Sequence, residues 1–149
     1  MKISELDTEI LKAAGALIHA KDEDKWLFIL RGEYVDCPFT WGLPGGRGSF
    51  SESYLDTAIR ETKEEIGYDL TGCPSQLVYI HRTDWPVTIY KTFAFQVEQQ
   101  FKPLLDWESA DYKWCSLDNL PTPMHWGVDA MLNHDLSGEI LHKWLGTLT

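Results

Sequence analysis

The chain has few cysteines and no long apolar segment, and each shortage excludes a class of protein. Its three cysteines stand at positions 37, 73 and 115, and none belongs to a CxxC pair. This spacing argues against a disulfide framework or a zinc site built on paired cysteines, so we expect reduced thiols. The opening segment MKISELDTEI carries acidic residues and lacks the apolar stretch of a signal peptide. Because no segment approaches the length of a membrane span, we expect a cytoplasmic protein without a membrane partner.

Basic residues are also scarce, with 13 Lys and Arg against 23 Asp and Glu and a net charge of −10. Phosphate contacts dominate nucleic-acid affinity, so a chain without a run of Lys and Arg is not expected to bind nucleic acid. An acidic protein can still bind an anionic substrate when divalent cations lie between the two. Aromatic residues are plentiful, and some are therefore expected to stack on a flat ligand.

The order of the predicted elements favours an α/β (α+β) fold. Strands are predicted at 10–20 and 25–31 around a polar turn, at 76–82 and 88–97 around a break at 84–86, and at 111–115. A loop rich in Gly, Pro and Ser, with short extended pieces, is predicted at 32–51. Helices are predicted at 53–66, 125–133 and 137–146, the last two separated near Gly138. Strands around a central helix, with helix at the end, indicate a layered sandwich with a mixed sheet. Without repeats or linkers, the length suits one domain over residues 1–149.

The helix predicted at 53–66 has clear signals at both ends. Ser51 or Ser53 can cap its start, Ser53 with Asp56 resembles a capping box, and Gly67 stands where a left-handed C-terminal cap falls. One buried face is predicted from apolar residues and a threonine at helical spacing, namely Leu55, Ala58, Ile59, Thr62 and Ile66.

Three acidic residues of this helix, Glu61, Glu64 and Glu65, fall within an arc of roughly 100° away from that face. Like charges at this spacing cost a few tenths of a kcal/mol per pair, and the helix dipole disfavours each by roughly 0.3–1 kcal/mol. A bound divalent cation would reverse both effects, since hard cations such as Mg²⁺ take oxygen ligands. The alternative is a solvated acidic face balanced by Arg60 and Lys63. The glycine-rich segment at 41–48 favours the metal site, because glycines let the backbone approach a ligand closely.

Residues 46–68 read GRGSFSESYLDTAIRETKEEIGY, which resembles a complete Nudix box, G-x5-E-x7-R-E-U-x-E-E-x-G-U with U aliphatic. The fixed positions are filled by Gly46, Glu52, Arg60, Glu61, Glu64, Glu65 and Gly67. The two U positions hold Thr62 and Tyr68, which depart from the aliphatic pattern and are expected to pack all the same. The sequence is therefore identified as a member of the Nudix family, with its α/β/α sandwich and mixed sheet.

The resemblance implies an enzyme that hydrolyses the pyrophosphate bond of a nucleoside diphosphate linked to another moiety. Such substrates include nucleoside triphosphates, nucleotide sugars and dinucleotide polyphosphates, and the implied mechanism uses Mg²⁺ or Mn²⁺ and metal-activated water. Metal-binding and base-providing roles fall by position on Glu61, Glu64 and Glu65, with the Gly45 carbonyl as a further ligand. Arg60 is implied to orient these carboxylates, whereas Gly46, Glu52 and Gly67 are implied to shape the loop, helix and turn.

Many Nudix enzymes use a further acid from a late loop, as a metal ligand or as the base. Glu108 is our candidate, because it stands six residues before Trp114, a spacing that resembles the branch acting on oxidised nucleotides. Asp106 and Asp111 are close rivals. The alternative is that all three are ordinary loop acids.

Substrate contacts are less well defined by the sequence. Arg31 and Arg47 are candidates to bind phosphate, and Tyr34, Phe39, Trp85 and Trp126 are candidates to stack on a base. Each of these has ordinary packing or surface exposure as its alternative. His125 is an acid or base candidate, although a structural role is favoured. The signatures of the NADH-cleaving and coenzyme A branches are not satisfied, so the nucleotide stays open.

Three other functions compete with hydrolysis of a small nucleotide. A non-hydrolytic member of the family, such as an isoprenoid diphosphate isomerase, is disfavoured because those chains are longer and carry a catalytic cysteine context that this sequence lacks. A catalytically silent Nudix-fold domain could act as a nucleotide-binding sensor, but such domains usually lose box carboxylates and this chain keeps them all. A domain acting on RNA ends is disfavoured by the acidic charge. Because Nudix enzymes are often dimers, a homodimer is a candidate assembly.

Overall fold

The computed structural model describes residues 10–148 of the chain. The expectation that the opening segment is not a signal peptide falls on residues 1–9, outside the described part. Within that part, no helix is both long and apolar enough to cross a membrane. The three cysteines are free thiols, and that of Cys115 is buried.

The described residues form strands and helices in an order close to the predicted one. The strands are β1 (Leu11–Ala20), β2 (Lys25–Arg31), β3 (Trp41–Gly42), β4 (Gly45–Arg47), β5 (Ser75–Asp84), β6 (Val87–Val97) and β7 (Ser109–Cys115). The helices are α1 (Tyr54–Ile66), α2 (Trp126–Leu132) and α3 (Asp135–Thr147). The short strands β3 and β4 lie inside the segment expected to be a loop with short extended pieces.

The strands form a mixed sheet, as predicted, with β1 at its centre. β1 pairs antiparallel with β2 and β4 and parallel with β6 over its whole length, from Leu11 opposite Thr88 to Ala20 opposite Val97. β5 and β6 form an antiparallel hairpin, and β7 pairs with the outer side of β2. This arrangement places β4, which carries Gly45 and Gly46, against the centre of the sheet.

Both faces of the sheet are covered, which explains why β1 and β2 are nearly continuous apolar runs. Alternate residues of β2 enter two different cores: Leu27 packs on the side of α1, whereas Phe28 packs on the side of α2 and α3. The core beside α1 includes Ala58 and Ile66, and the opposite core includes Trp144. The predicted α/β/α sandwich is therefore confirmed.

Helix α1 begins and ends at the predicted signals. The Ser53 hydroxyl accepts a hydrogen bond from the Asp56 N–H at 3.0 Å, and Gly67 adopts a left-handed conformation with φ 73°. The buried side chains of α1 are those of Thr57, Ala58, Thr62 and Ile66, whereas the predicted Leu55 and Ile59 are only partly buried. Tyr68 stacks on Phe101 with ring centroids 3.8 Å apart, so both atypical positions of the motif are packed.

The predicted break near Gly138 is wrong, because α3 continues through that residue. The chain instead turns at Asn133 and His134, where the imidazole of His134 caps α3 by accepting from the Ser137 N–H at 3.3 Å. Histidine is a weaker sequence signal for a helix cap than glycine is for a helix break. The prediction therefore placed the break at Gly138 instead of at His134.

Replacing Gly67 by alanine is expected to lower the free energy of unfolding by about 1–2 kcal/mol. The positive φ strains any residue with a Cβ, and that atom would lie 3.2 Å from the Leu104 side chain. Urea denaturation of Gly67→Ala measures the effect. Gly138→Ala is the matched control, since it lies within α3 with open space around it and should hold or raise stability. A Gly67→Ala variant as stable as the natural chain would contradict the assigned cap.

Candidate active site

The site is built where strand β4 meets the last turns of α1. The Gly45 N–H donates a hydrogen bond to Glu65 Oε2 at 2.9 Å, which ties the helix to the strand. Gly46 faces the carboxyl group of Glu61 so closely that a Cβ would lie 2.6–2.8 Å from its atoms. A side chain at position 46 would therefore displace the Glu61 carboxyl group, and the carboxylates of Glu61 and Glu65 both lie against the β4 backbone.

Arg60 connects this pair to the loop that precedes α1. Its Nε and Nη2 donate to the two carboxylate oxygens of Glu52 at 2.8 and 3.0 Å, and Nη2 also donates to the Arg47 carbonyl at 2.8 Å. Nη1 donates to Glu61 at 3.2 Å and to Glu64 at 3.1 Å. A paired, planar contact of this kind fixes orientation as well as charge, so Arg60 holds Glu52 and Glu61 in place together.

The Glu52 carboxylate is the most strongly stabilised anion of the site. Hydrogen bonds from Arg60 and then from Thr57, whose hydroxyl donates at 2.7 Å, lower the pKa of Glu52 to about 2. The hydrogen bond to Glu52 in turn raises the pKa of Arg60. Glu52 is therefore charged under all ordinary conditions and acts as a fixed support.

Glu61 and Glu65 have the opposite electrostatics. Burial raises the pKa of Glu65 to about 8, against the hydrogen bond from Gly45, and the nearby carboxylates of Glu61 and Glu108 raise it further. Burial also raises the pKa of Glu61, with Arg60 opposing. Glu64 differs, since 57% of its side chain is exposed. Two carboxylates are thus held where a negative charge is costly without a nearby cation.

Of the three late-loop acids, Glu108 shares a cavity with a helix carboxylate. It lines a cavity of about 180 Å³ together with Glu65, Gly45 and Arg31. Asp106 accepts a hydrogen bond from the Glu108 N–H at 3.0 Å and so supports the turn. Asp111 is exposed on β7, opposite Leu30 of β2.

The residues around this small cavity match a hard divalent cation in ligand type and in charge. They offer carboxylate oxygens and a backbone carbonyl, which Mg²⁺ and Mn²⁺ prefer, and burial makes a compensating positive charge favourable. As placed, no three His, Cys, Asp or Glu side chains in residues 10–148 are close enough together to hold a metal ion. Glu65, Glu108 and Gly45 at this cavity fit the ion in ligand type, because Mg²⁺ is usually held by one or two carboxylates and keeps several water ligands.

A second cavity, of about 430 Å³, lies on the other side of Gly45. One wall is a single face of the β5–β6 hairpin, formed by the cross-strand pairs Tyr79–Thr92, His81–Tyr90 and Thr83–Thr88. The opposite wall includes His125 and Trp126 at the start of α2, and Gly45, Gly46 and Arg31 lie where the cavity meets the carboxylates. Rings and hydroxyl groups dominate the lining, which suits a flat, uncharged group with hydrogen-bonding edges.

The structure brings two of the six predicted substrate contacts to this cavity. Trp126 lines it with its ring edge-on to His81, at 5.4 Å between centroids. Arg31 lines both cavities, although its guanidinium is paired with the Asp36 carboxylate and its Nε donates to the Asp36 carbonyl at 2.7 Å. The remaining four lie outside the lining: Tyr34, Phe39 and Trp85 are exposed, Trp85 by 93% at the hairpin tip, and Arg47 is exposed at the end of β4.

Sequence reasoning missed Tyr79, His81 and Tyr90. A signal for them exists, because hairpin pairing of the two predicted strands places alternate residues of each on one face. His125 has a structural contact, since its Nδ1 accepts from the Gly127 N–H at 3.1 Å and caps α2. Burial, and then the charge of Arg31, lower the pKa of His125.

The family follows from this geometry together with sequence comparison. A family model described as the NUDIX domain matches residues 10–134. The chain therefore belongs to the Nudix family.

Particular relatives differ in what they do. Subunit 2 of the mRNA-decapping enzyme of Saccharomyces cerevisiae is 30% identical over 114 residues, which cover 74% of this chain and 11% of that protein. A putative 8-oxo-dGTP diphosphatase 3 of Mycobacterium tuberculosis is 28% identical over 129 residues, which cover 79% of this chain and 58% of that protein. The chain thus spans only part of the length of these curated relatives.

Solved structures support the fold. RenU, a Nudix hydrolase from M. smegmatis, superposes with a TM-score of 0.73 at 20% identity, over 93% of this chain and 87% of that one. An Ap4A hydrolase from C. elegans, solved as a binary complex, gives a TM-score of 0.63 at 22% identity, over 93% and 97% of the two chains. At these identities the likeness shows the Nudix fold.

Replacing Glu52 by glutamine is expected to flatten the acid side of the stability profile. Because the folded-state pKa of Glu52 is lowered from 4.5 to about 2, its contribution is present above pH 4.5 and is lost as pH falls towards 2. Glu52→Gln should therefore lower the free energy of unfolding by about 1–3 kcal/mol at neutral pH and by much less near pH 2. Denaturant titrations at several pH values measure this, with the exposed Glu139→Gln of α3 as control. An equal loss at all pH values would contradict the assigned charge.

Proposed function

We propose that the chain hydrolyses a pyrophosphate bond in a nucleoside diphosphate linked to another moiety, using Mg²⁺ or Mn²⁺. The observation that carries this proposal is the meeting of Glu65, Glu108 and Gly45 at one small cavity, directly beside a larger ring-lined one. The first suits a cation-neutralised diphosphate and the second suits the nucleoside attached to it.

The cation would be held by oxygens of Gly45, Glu61, Glu64, Glu65 and Glu108. When bound, it would neutralise phosphate charge and lower the pKa of a coordinated water. Arg60 keeps Glu61 oriented, since it contacts Glu61, Glu52 and the Arg47 carbonyl at once. Gly46 leaves the space that the Glu61 carboxyl group occupies.

Hydrolysis then needs a proton acceptor and an entering water. A water oxygen bonds to one phosphorus, the bridging P–O bond breaks, and a carboxylate of the site accepts the proton. The candidates are Glu61, Glu64, Glu65 and Glu108. The products are a mononucleotide and a phosphorylated fragment, so the enzyme splits one substrate into two anions.

Small nucleotides are the proposed substrates, as in the two relatives named for 8-oxo-dGTP and for Ap4A. The decapping relatives raise capped RNA as a rival. The net charge of −10 disfavours a long polyanion, which has too many phosphates to be neutralised by a few bound cations. We further propose one domain over residues 1–149 that acts in the cytoplasm, without nucleic-acid or membrane partners, and assembles as a homodimer.

Replacing Glu64 or Glu65 by glutamine is expected to lower kcat by about 10²- to 10⁴-fold, because each change removes a charged ligand or base. Both variants should keep the fold, as measured by circular dichroism. Turnover is followed by phosphate or mononucleotide release from a panel of nucleoside triphosphates, 8-oxo-dGTP, Ap4A, a nucleotide sugar and capped RNA, with Mg²⁺ or Mn²⁺.

Glu139→Gln on α3 is the matched control and should retain full turnover. Near-normal turnover in both site variants would overturn the assignment of the carboxylates. Nucleotide binding by the natural chain without turnover would favour the catalytically silent sensor instead.

A further inference from the structure

Tyr90 lines the larger cavity near Gly45, a residue that the two cavities share. It lies on β6, where it pairs with His81 of β5 on one side and with Ala13 of β1 on the other. Its side chain lines the larger cavity together with Gly45 and Gly46. Its hydroxyl reaches the point where the backbones of β1 and β4 lie side by side. The phenol therefore stands at the end of the cavity that faces the carboxylates.

Two glycines create the space for this hydroxyl. Gly15 of β1 and Gly45 of β4 pair with each other, and a Cβ on either would overlap the Tyr90 oxygen. A Cβ on Gly15 would also lie 3.1 Å from the Pro44 carbonyl. Neither glycine adopts a positive φ, so backbone conformation does not explain them. A Cβ on Gly45 would also lie 2.5 Å from the Ala14 carbonyl oxygen, so the close approach of β1 and β4 requires that glycine as well. The room they leave is occupied by the phenol.

The hydroxyl is unused by the protein itself. Within residues 10–148 it makes no hydrogen bond, although a phenol is a good donor and partners are normally found for such groups. A phenol keeps its proton at neutral pH, so the oxygen can donate. The side chain of Tyr90 is only partly buried and lines the larger cavity, so a bound ligand can reach it.

We propose that Tyr90 is a positioning residue that donates a hydrogen bond to a substrate oxygen between the nucleoside and the scissile linkage. This inference rests on the proposed function, because it takes the larger cavity as the nucleoside site. The acceptor belongs to the sugar or to the first phosphate, the parts of a nucleotide that lie between base and diphosphate. Tyr90 thereby sets how far the nucleoside enters and which phosphorus reaches the carboxylates.

The test begins with Tyr90→Phe, which removes only the hydroxyl. We expect kcat/KM to fall by about ten- to a hundredfold, the range for losing one hydrogen bond to a charged or polar partner, with little change in Tm. Tyr68→Phe is the matched control, because that ring stacks on Phe101 away from both cavities and should leave kcat/KM unchanged. A kcat/KM of Tyr90→Phe within twofold of the natural chain would overturn the inference.

Gly15→Ala supplies a second variant that moves the hydroxyl without removing it. Alone, it should lower kcat/KM by pressing a methyl group on the Tyr90 oxygen. Combined with Tyr90→Phe, it should cause little further loss, since the atom it displaces is absent. Independent, multiplicative losses in the double variant would show that Gly15 acts on the backbone and would contradict the inference.

A binding measurement separates this inference from the proposed hydrolysis. Intrinsic tryptophan fluorescence reports binding of a non-hydrolysable nucleoside triphosphate analogue, since Trp126 lines the cavity. Weaker binding by Tyr90→Phe in a chain without turnover would support Tyr90 and overturn hydrolysis. Turnover by the natural chain, with the same kcat/KM for Tyr90→Phe, would support hydrolysis and overturn the role of Tyr90. A chain that neither binds nor turns over any member of the panel would overturn both.

Discussion

The contacts of the Arg60 guanidinium are the constraint on which the rest of the site depends. One planar group reaches Glu52 before the helix, the Arg47 carbonyl at the end of β4, and Glu61 and Glu64 on α1. These groups come from three segments that would otherwise move independently. Because a guanidinium presents its donors in a fixed plane, satisfying all of them at once fixes the helix relative to the strand. The orientation of the Glu52 and Glu61 carboxylates follows from that one fixed plane, whereas the Glu65 carboxylate is held by the Gly45 N–H.

Close approach of backbones is the second requirement, and the central strand provides it. β1 contacts β4 on one part of its edge and β6 along its length, so three strands meet near Gly15. Small residues there let the sheet carry a large side chain, that of Tyr90, without spreading apart. The partly buried carboxylates of Glu61 and Glu65 lie against Gly46 and Gly45, which also line the ring-lined cavity. Burial then raises the pKa of Glu61 and of Glu65, because it makes their charged forms costly.

The helix and its acidic face could be predicted from the sequence because both depend on local spacing. The Ser53 cap, the Gly67 cap and the arc of Glu61 and Glu65 need only neighbours within a few turns, and the motif adds the glycine loop. The layered fold also followed, since apolar runs and a central helix restrict the arrangements available. The helix boundary predicted near Gly138 was wrong because His134, one turn earlier, caps the start of α3.

The larger cavity was harder to foresee, since it depends on pairing between distant strands. Aromatic residues such as Trp85 were candidates to stack on a base because of their residue type alone. His81 and Tyr90 line the cavity because of their positions in the hairpin. Their shared face is defined by the hairpin register, which includes an irregularity between Leu77 and Tyr79. A one-residue difference in register would turn these side chains to the other face, so residue type gives no guide without the pairing.

The parallel pairing of β1 with β6 has a consequence for how the molecule assembles. Each of its partners, from Leu11 with Thr88 to Ala20 with Val97, is 77 positions away along the chain. During synthesis, β1 can pair with β6 only after the β5–β6 hairpin has been made. Closing so long a loop costs conformational entropy before the contacts between the two strands can stabilise it. Helix α1 can form early from local interactions, but its carboxylates acquire their surroundings only in this late, non-local step. Catalytic competence should thus arise together with the completed sheet.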